Sequence, residues 1–140
     1  MRCPLRAFFF GSIMSLIPDD LVYSRNHIWL RMTDEFTGTC GITDHAQEFL
    51  RDIVFADLIE EGMEVNADEK ILYIESIVDI FDIMSPLSGK VLKTNPTLES
   101  MPGVINEDPY GEGWIFEIDI RSRIELEELM DHETYREYVE

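Results

Sequence analysis

The sequence predicts a mainly β domain, a sandwich or flattened barrel with short helices. Three observations carry this. From Leu21 onward, short β-rich runs alternate with turn residues. One stretch, Asp44-x-x-Gln47 ahead of Phe49 and Leu50, has the form of a capped helix start. Helical spacing of apolar residues returns only beyond Ser122, at the C-terminal end.

Taken in order, Val22–Tyr23, Ile28–Met32 and Thr37–Ile42 read as strands, the last two joined by a polar turn containing Asp34 and Glu35. A short helix is expected to start near Asp44. Residues 53–58 (IVFADL) give a strand signal and Glu61-Gly62 a turn. Residues 71–74 (ILYI) are apolar, and after a polar break the pattern resumes at Ile77. Ser85-Pro86 and Ser88-Gly89 mark a reversal, because proline presets φ and glycine tolerates a left-handed backbone. Val91 and Leu92 continue as strand. Residues 95–113 hold three prolines and three glycines, so a long ordered loop is expected there. Over residues 114–120, Trp114, Phe116, Ile118 and Ile120 alternate with Ile115, Glu117 and Asp119, the pattern of a half-buried strand. Ile124, Leu126, Leu129 and Met130 fall at helical spacing, and a further helical turn or two lies around Tyr135 and Val139.

Charge and composition exclude several functions. The 140 residues carry 11 Lys and Arg against 29 Asp and Glu, a formal net charge of −18. Such a surface repels phosphate backbones and anionic membranes, so no nucleic-acid or membrane partner is expected. No apolar run approaches the roughly 18–20 residues of a membrane span. An apolar fraction of 45% separates the chain from disordered acidic sequences. Cys3 and Cys40 are too few for a disulfide framework, and His27, His45 and His132 stand singly, so no metal site is expected. The composition fits a reduced, intracellular protein, and the expected location is the cytoplasm.

Residues 1–17 (MRCPLRAFFFGSIMSLI) hold two arginines and no acid. Gly11 and Ser12 interrupt the apolar run, unlike a secretory signal. The expectation is a disordered N-terminal extension over 1–17, with Met14 as an alternative translation start, followed by a single domain over 18–140.

A search for chemistry finds no phosphate-binding glycine loop, no nucleophile elbow and no converging base, nucleophile and orienting group. Adjacent carboxylates such as Glu60 and Glu61 read as a solvated face. The chain reads as a binding or carrier module and not as an enzyme.

Seven blocks, in order, carry a resemblance. They are His27-Ile28-Trp29, residues 41–47 (GITDHAQ), residues 52–55 (DIVF), Glu75-Ser76-Ile77, residues 85–91 (SPLSGKV), Asn95, and residues 106–114 (NEDPYGEGW). Together they resemble the H protein of the glycine cleavage system, a lipoyl-bearing carrier of an aminomethyl group. The resemblance runs from about Leu21 to Val139. It implies a lipoyl-domain-like barrel-sandwich hybrid with short flanking helices, including a C-terminal helical segment. In that family a lysine at a hairpin tip, within Glu-Ser-Val-Lys-Ala, holds lipoate in amide linkage.

Here the matching stretch reads Glu75-Ser76-Ile77-Val78-Asp79, so Val78 stands where the lysine is expected. The only lysines are Lys70, Lys90 and Lys93. The family's cleft glutamate corresponds to Ile28, while the aspartate four residues beyond the lysine is retained as Asp82. The family's glycine and proline around the helix exit stand as Arg51 and Ile59, exchanges expected to be neutral. The resemblance therefore implies an H-like protein that has lost its lipoyl-lysine, with no cofactor and no aminomethyl cargo. One alternative is a protein-interaction module that uses an apolar hairpin tip: Ile77, Val78, Ile80 and Phe81. This requires the tip to stay exposed and not to turn Ile80 and Phe81 inward, leaving Val78 alone outside. A second is an accessory component of glycine cleavage or lipoate metabolism. The protein partner is not identified by the sequence.

Overall fold

A computed structural model describes residues 16–140. The expectations for an N-terminal extension and for Met14 as a start fall outside the described residues, apart from Leu16 and Ile17. Leu16 donates its N–H to Asp44 Oδ2 at 3.0 Å and accepts the Tyr110 hydroxyl at 2.6 Å.

Nine strands form two antiparallel sheets among the described residues. They are β1 (Val22–Tyr23), β2 (Ile28–Met32), β3 (Thr37–Ile42), β4 (Ile53–Ala56), β5 (Glu64–Val65), β6 (Lys70–Ser76), β7 (Ile80–Met84), β8 (Gly89–Thr94) and β9 (Phe116–Ile120). The larger sheet has the order β1-β2-β3-β9-β8-β5, and the smaller one the order β4-β6-β7. Side chains on alternate residues explain the pairing of the sheets. Ile28, Leu30, Cys40 and Ile42 from the larger sheet share one buried cluster with Leu72, Ile74 and Ile83 from the smaller. Helix α1 (Asp44–Leu50) contributes Ala46 and Leu50 to the same cluster. Gly41 pairs with Trp29, and a Cβ there would stand 2.8 Å from the indole, so only glycine permits the approach.

The opposite face of β1 and β2 is covered by the C-terminal helix α4 (His132–Val139). Tyr135 stacks on Tyr23 with ring centroids 4.7 Å apart, and Trp29 donates its indole N–H to the Pro109 carbonyl. These rings bury large apolar areas while each polar tip keeps a partner.

The observed fold is the mainly β, two-sheet domain with short helices that the sequence predicts, and four local details differ. The N-cap of α1 is Thr43, whose hydroxyl accepts the Ala46 N–H; Asp44 lies inside the helix and binds the Gln47 side chain instead. Strand β5, two residues long, is too short to show a period. Within the expected loop at 95–113 lie two one-turn helices, α2 (Thr97–Ser100) and α3 (Val104–Glu107). They are fixed by the Asn95 amide, which donates to the Glu112 and Trp114 carbonyls while its oxygen accepts the Thr97 N–H. Finally, residues 123–128 form a 3-10 helix in which Ile124 is 72% exposed, while Leu126, Leu129 and Met130 pack against the buried clusters.

Candidate functional site

The β6–β7 hairpin turns at Ile77 and Val78, held between Ser76 and Asp79. The Ser76 N–H donates to the Asp79 carbonyl at 2.8 Å. The Ser76 hydroxyl oxygen accepts the N–H groups of Val78 and Asp79, each at 3.1 Å, and Asp79 Oδ1 accepts the Ile80 N–H at 2.8 Å. The Ile77 N–H donates to the Asp52 carbonyl at 3.0 Å, which ties the tip to the segment before β4. Two short polar side chains thus shape the turn through the backbone, a role well suited to serine and aspartate. The side chains of Ile77 and Val78 take no part in it.

Ile77, Val78 and Ile80 are 61%, 55% and 59% exposed. Phe81, one residue on, points to the opposite face. It pairs across the ladder with buried Ile74 and meets Phe49 of α1 edge-to-face, centroids 5.9 Å apart. Ile80 pairs instead with Glu75, which also lies opposite Phe55 of β4. Strand alternation therefore turns Phe81 inward and leaves Ile80 outside.

The other sequence-derived positions lie elsewhere. Ile28 is 1% exposed and belongs to the main core, opposite Ile42. Asp82 lies opposite Tyr73 on β7 and forms an exposed ion pair with Lys70 at 3.4 Å, a contact worth little in water. Lys70 opens β6 and faces Met84 at the base of the hairpin, while Lys90 and Lys93 belong to β8 in the other sheet. The structure does not bring a lysine to the tip.

It does bring together two histidines that sequence reasoning left scattered. The rings of His27 and His45 lie 5.3 Å apart, and each contacts Phe49. His27 Nδ1 lies 2.8 Å from the Tyr135 hydroxyl, which lies 2.7 Å from Thr43 Oγ1. Burial, with a smaller contribution from His45, pushes the His27 pKa down to about 4. Burial also lowers that of His45, against the opposing pull of Asp44. Both shifts favour the neutral ring. The available signal was that both histidines fall inside resembling blocks, His27-Ile28-Trp29 and residues 41–47. Among the described residues, no three His, Cys, Asp or Glu side chains gather where they could hold a metal ion, and no helix is long and apolar enough to cross a membrane.

Two antiparallel sheets closed over one core, with a hydrogen-bonded hairpin tip standing clear of it, define a domain of the lipoyl-type barrel-sandwich fold. A family model described as Glycine cleavage H-protein matches residues 21–140. The glycine cleavage system H protein of Coxiella burnetii is 44% identical over 127 residues, covering 91% of this chain and 98% of the relative. That of Marinobacter nauticus is 44% identical over 126 residues, covering 90% and 97%. The crystal structure of a glycine cleavage system H protein from Mycobacterium marinum superposes with a TM-score of 0.75 at 31% identity, covering 85% of this chain and 95% of that one. The chain belongs to the glycine cleavage H-protein family.

Family membership corrects the expectation of no cofactor. The H-protein family carries covalently bound lipoate and is a carrier rather than a catalyst, and relatives at 44% identity point to the same group. The expectation came from two positions, Val78 and Ile28, which decide what those positions can bear and not which cofactor the family uses. H-family proteins interact with other proteins of glycine cleavage. As for the fit at the tip, an isopropyl side chain has no nitrogen to form an amide, so Val78 does not fit lipoyl attachment at that point.

Proposed function

We propose that this chain is a non-catalytic H-family protein of the cytoplasm that retains the family's hairpin but cannot be acylated, or loaded with an aminomethyl group, at residue 78. The observation that carries this is the tip itself. Ser76 and Asp79 hold an intact turn, and its summit presents Val78, 55% exposed, where the family's lysine is expected. Loss of the handle within a preserved frame means that the frame has a use apart from that handle. The nearest setting for it is among the proteins of glycine cleavage or lipoate metabolism.

The test is peptide-resolved mass spectrometry of the protein from its native cells, beside a Val78→Lys variant coexpressed with a lipoate ligase. The expected result is a lipoyl group on residue 78 of the variant and an unmodified tip in the wild type. A correctly folded variant that the ligase ignores would overturn the reading, because the tip would then no longer present an H-family substrate. The same peptide map reports whether and where else on the native chain the family's cofactor resides.

A second reading, a protein-interaction module, is favoured by one specific observation. Ile77, Val78 and Ile80 are all more than half exposed on a turn that needs none of them for its shape.

A further inference from the structure

We propose that the end of the β6–β7 hairpin is a preformed apolar plug for a partner protein whose receiving surface is an apolar slot rimmed by lysine and arginine. The proposal rests on the interaction reading above and adds the chemistry of the partner.

Three properties of the tip combine. The first is concentration of apolar surface. Of the twelve large apolar side chains most exposed among the described residues, the register places four at this end: Phe55, Ile77, Val78 and Ile80. Single exposed apolar residues are ordinary on any protein, whereas a contiguous group marks a binding surface. The register accounts for the grouping. Phe55, Glu75 and Ile80 form one row across β4, β6 and β7, while Ile77 and Val78 cap its end.

The second is rigidity. The turn is fixed by the five hydrogen bonds that join Ser76 and Asp79 to the backbone of residues 76–80. Ile77, Val78 and Ile80 are β-branched and hold few rotamers. Little conformational freedom is left to lose on docking, so more of the buried area counts toward affinity.

The third is charge, which selects the occupant. Around the apolar group stand Asp52, Glu75, Asp79 and Asp82, with Arg51 the cation next to them in sequence and Lys70 at the hairpin's base. The whole chain carries −18. A second copy would bring the same acids face to face, and anionic lipid or nucleic acid would meet the same repulsion. An apolar slot with a basic rim satisfies both the side chains and the field, and attraction of this kind speeds encounter.

The experiment uses the full chain in its native cells, with the photoreactive residue p-benzoylphenylalanine at position 78 or, as a control, at Ile124. Ile124 is 72% exposed on the 3-10 helix, whose Glu125 binds Ser88 beyond the hairpin's base. The partner peptide crosslinked from position 78 is mapped. The purified partner is then titrated with wild type, Val78→Asp, Ile80→Asp and Ile124→Asp, each checked for folding by circular dichroism, at low and high NaCl. We expect an adduct from position 78 alone, on an apolar segment flanked by lysine or arginine. Val78→Asp and Ile80→Asp should each weaken binding by roughly 30-fold, the scale of a central interface residue, with Ile124→Asp within about twofold. Added salt should slow association. The proposal is overturned by no adduct, the same adduct from both positions, an adduct with a second copy of the chain, binding indifferent to Val78→Asp, or binding indifferent to salt. Lipoylation of Val78→Lys is read independently, so an intact H-family tip without this partner is distinguishable from a tip that is not H-like.

Discussion

The hairpin tip and the cluster around Tyr135 use their side chains in opposite ways. At the tip, Ser76 and Asp79 secure the turn through backbone contacts, and the side chain of Val78 is free of structural duty. Around Tyr135 every ring is engaged. Tyr135 is wholly buried, stacks on Tyr23, and joins His27 to Thr43 through its hydroxyl, so one side chain ties α4 to β1, to the entry of β2 and to the start of α1. The difference teaches where this fold tolerates change. A position whose conformation is set by its neighbours' polar atoms is free to exchange its own side chain, whereas one that fills a volume and completes a hydrogen-bond chain is not.

The largest expected effect tests that contrast directly. Tyr135→Ala removes a buried ring and should cost about 4 kcal/mol of stability, the range for aromatic truncations in a core. Tyr135→Phe, which keeps the ring but removes the hydroxyl shared by His27 Nδ1 and Thr43 Oγ1, should cost about 1–2 kcal/mol. Urea unfolding followed by tryptophan fluorescence measures both. A cost below 1 kcal/mol for Tyr135→Ala would show that α4 is not part of the cooperative unit.

The same cluster makes stability depend on pH. The His27 pKa lies near 4 in the folded chain because burial disfavours the charged ring, against about 6.5 when unfolded. The unfolded state therefore binds the proton first. The stabilising contribution is complete above about pH 6.5, declines as pH falls toward 4, and changes no further below that. After allowance for solvent screening at a half-buried ring, the loss across that window is roughly 1–2 kcal/mol. His27→Asn, which tolerates the positive φ of 67° at this position, should flatten the urea midpoint between pH 6.5 and 4. An unchanged slope in the variant would assign the pH dependence to other groups.

Much of this frame was legible in the sequence, and the gaps have physical causes. Strands β2 and β3 are long enough to stand out from the turns around them, and the 116–120 strand declares its buried face through Phe116, Ile118 and Ile120. The helix start was read correctly, but its cap was displaced by one residue because Thr43 and Asp44 are both good caps, and only geometry decides which hydroxyl or carboxylate meets the Ala46 N–H. The pairing of His27 with His45 joins residues from separate elements, and no local pattern encodes it. The sequence left open whether Ile80 and Phe81 both stay outside or both turn inward, and the register of β6 and β7 divides them, with Ile80 exposed and Phe81 half-buried. Val78, by contrast, was visible at once, because it interrupts a motif and needs no tertiary information.

Arg51 sharpens the comparison from a third place. It ends α1 with φ 64° and ψ −148°, a backbone region that belongs almost wholly to glycine. The expectation that an arginine at this exit is neutral is therefore corrected. The conformation is imposed from both sides, since the Arg51 N–H donates to the Gln47 carbonyl at 3.0 Å and the Asn106 amide donates to the Arg51 carbonyl at 2.7 Å. Strain at such a site costs about 1–3 kcal/mol, and glycine returns part of that as extra unfolded-state entropy. Arg51→Gly should stabilise the fold by about 1 kcal/mol in urea unfolding. A loss of stability would mean that the arginine side chain contributes more than its backbone costs.

The smallest expected effect belongs to the tip. Val78→Lys and Val78→Ser should each change stability by no more than about 0.5 kcal/mol, as for surface positions that touch no cap, core or buried polar group. The expectation follows from the hydrogen bonds: the Val78 N–H is held by Ser76 Oγ, and that bond is indifferent to the side chain beyond Cα. Ser76→Ala is the matched control, because it removes the acceptor for two N–H groups and should loosen the turn by about 1 kcal/mol. If Val78→Lys proves as costly as Ser76→Ala, the valine packs against its neighbours more closely than its exposure indicates, and its presence would then have a structural explanation. If Val78→Lys is neutral while Ser76→Ala is not, folding does not require the valine. Its place at the summit must then be explained by what the tip meets outside the chain.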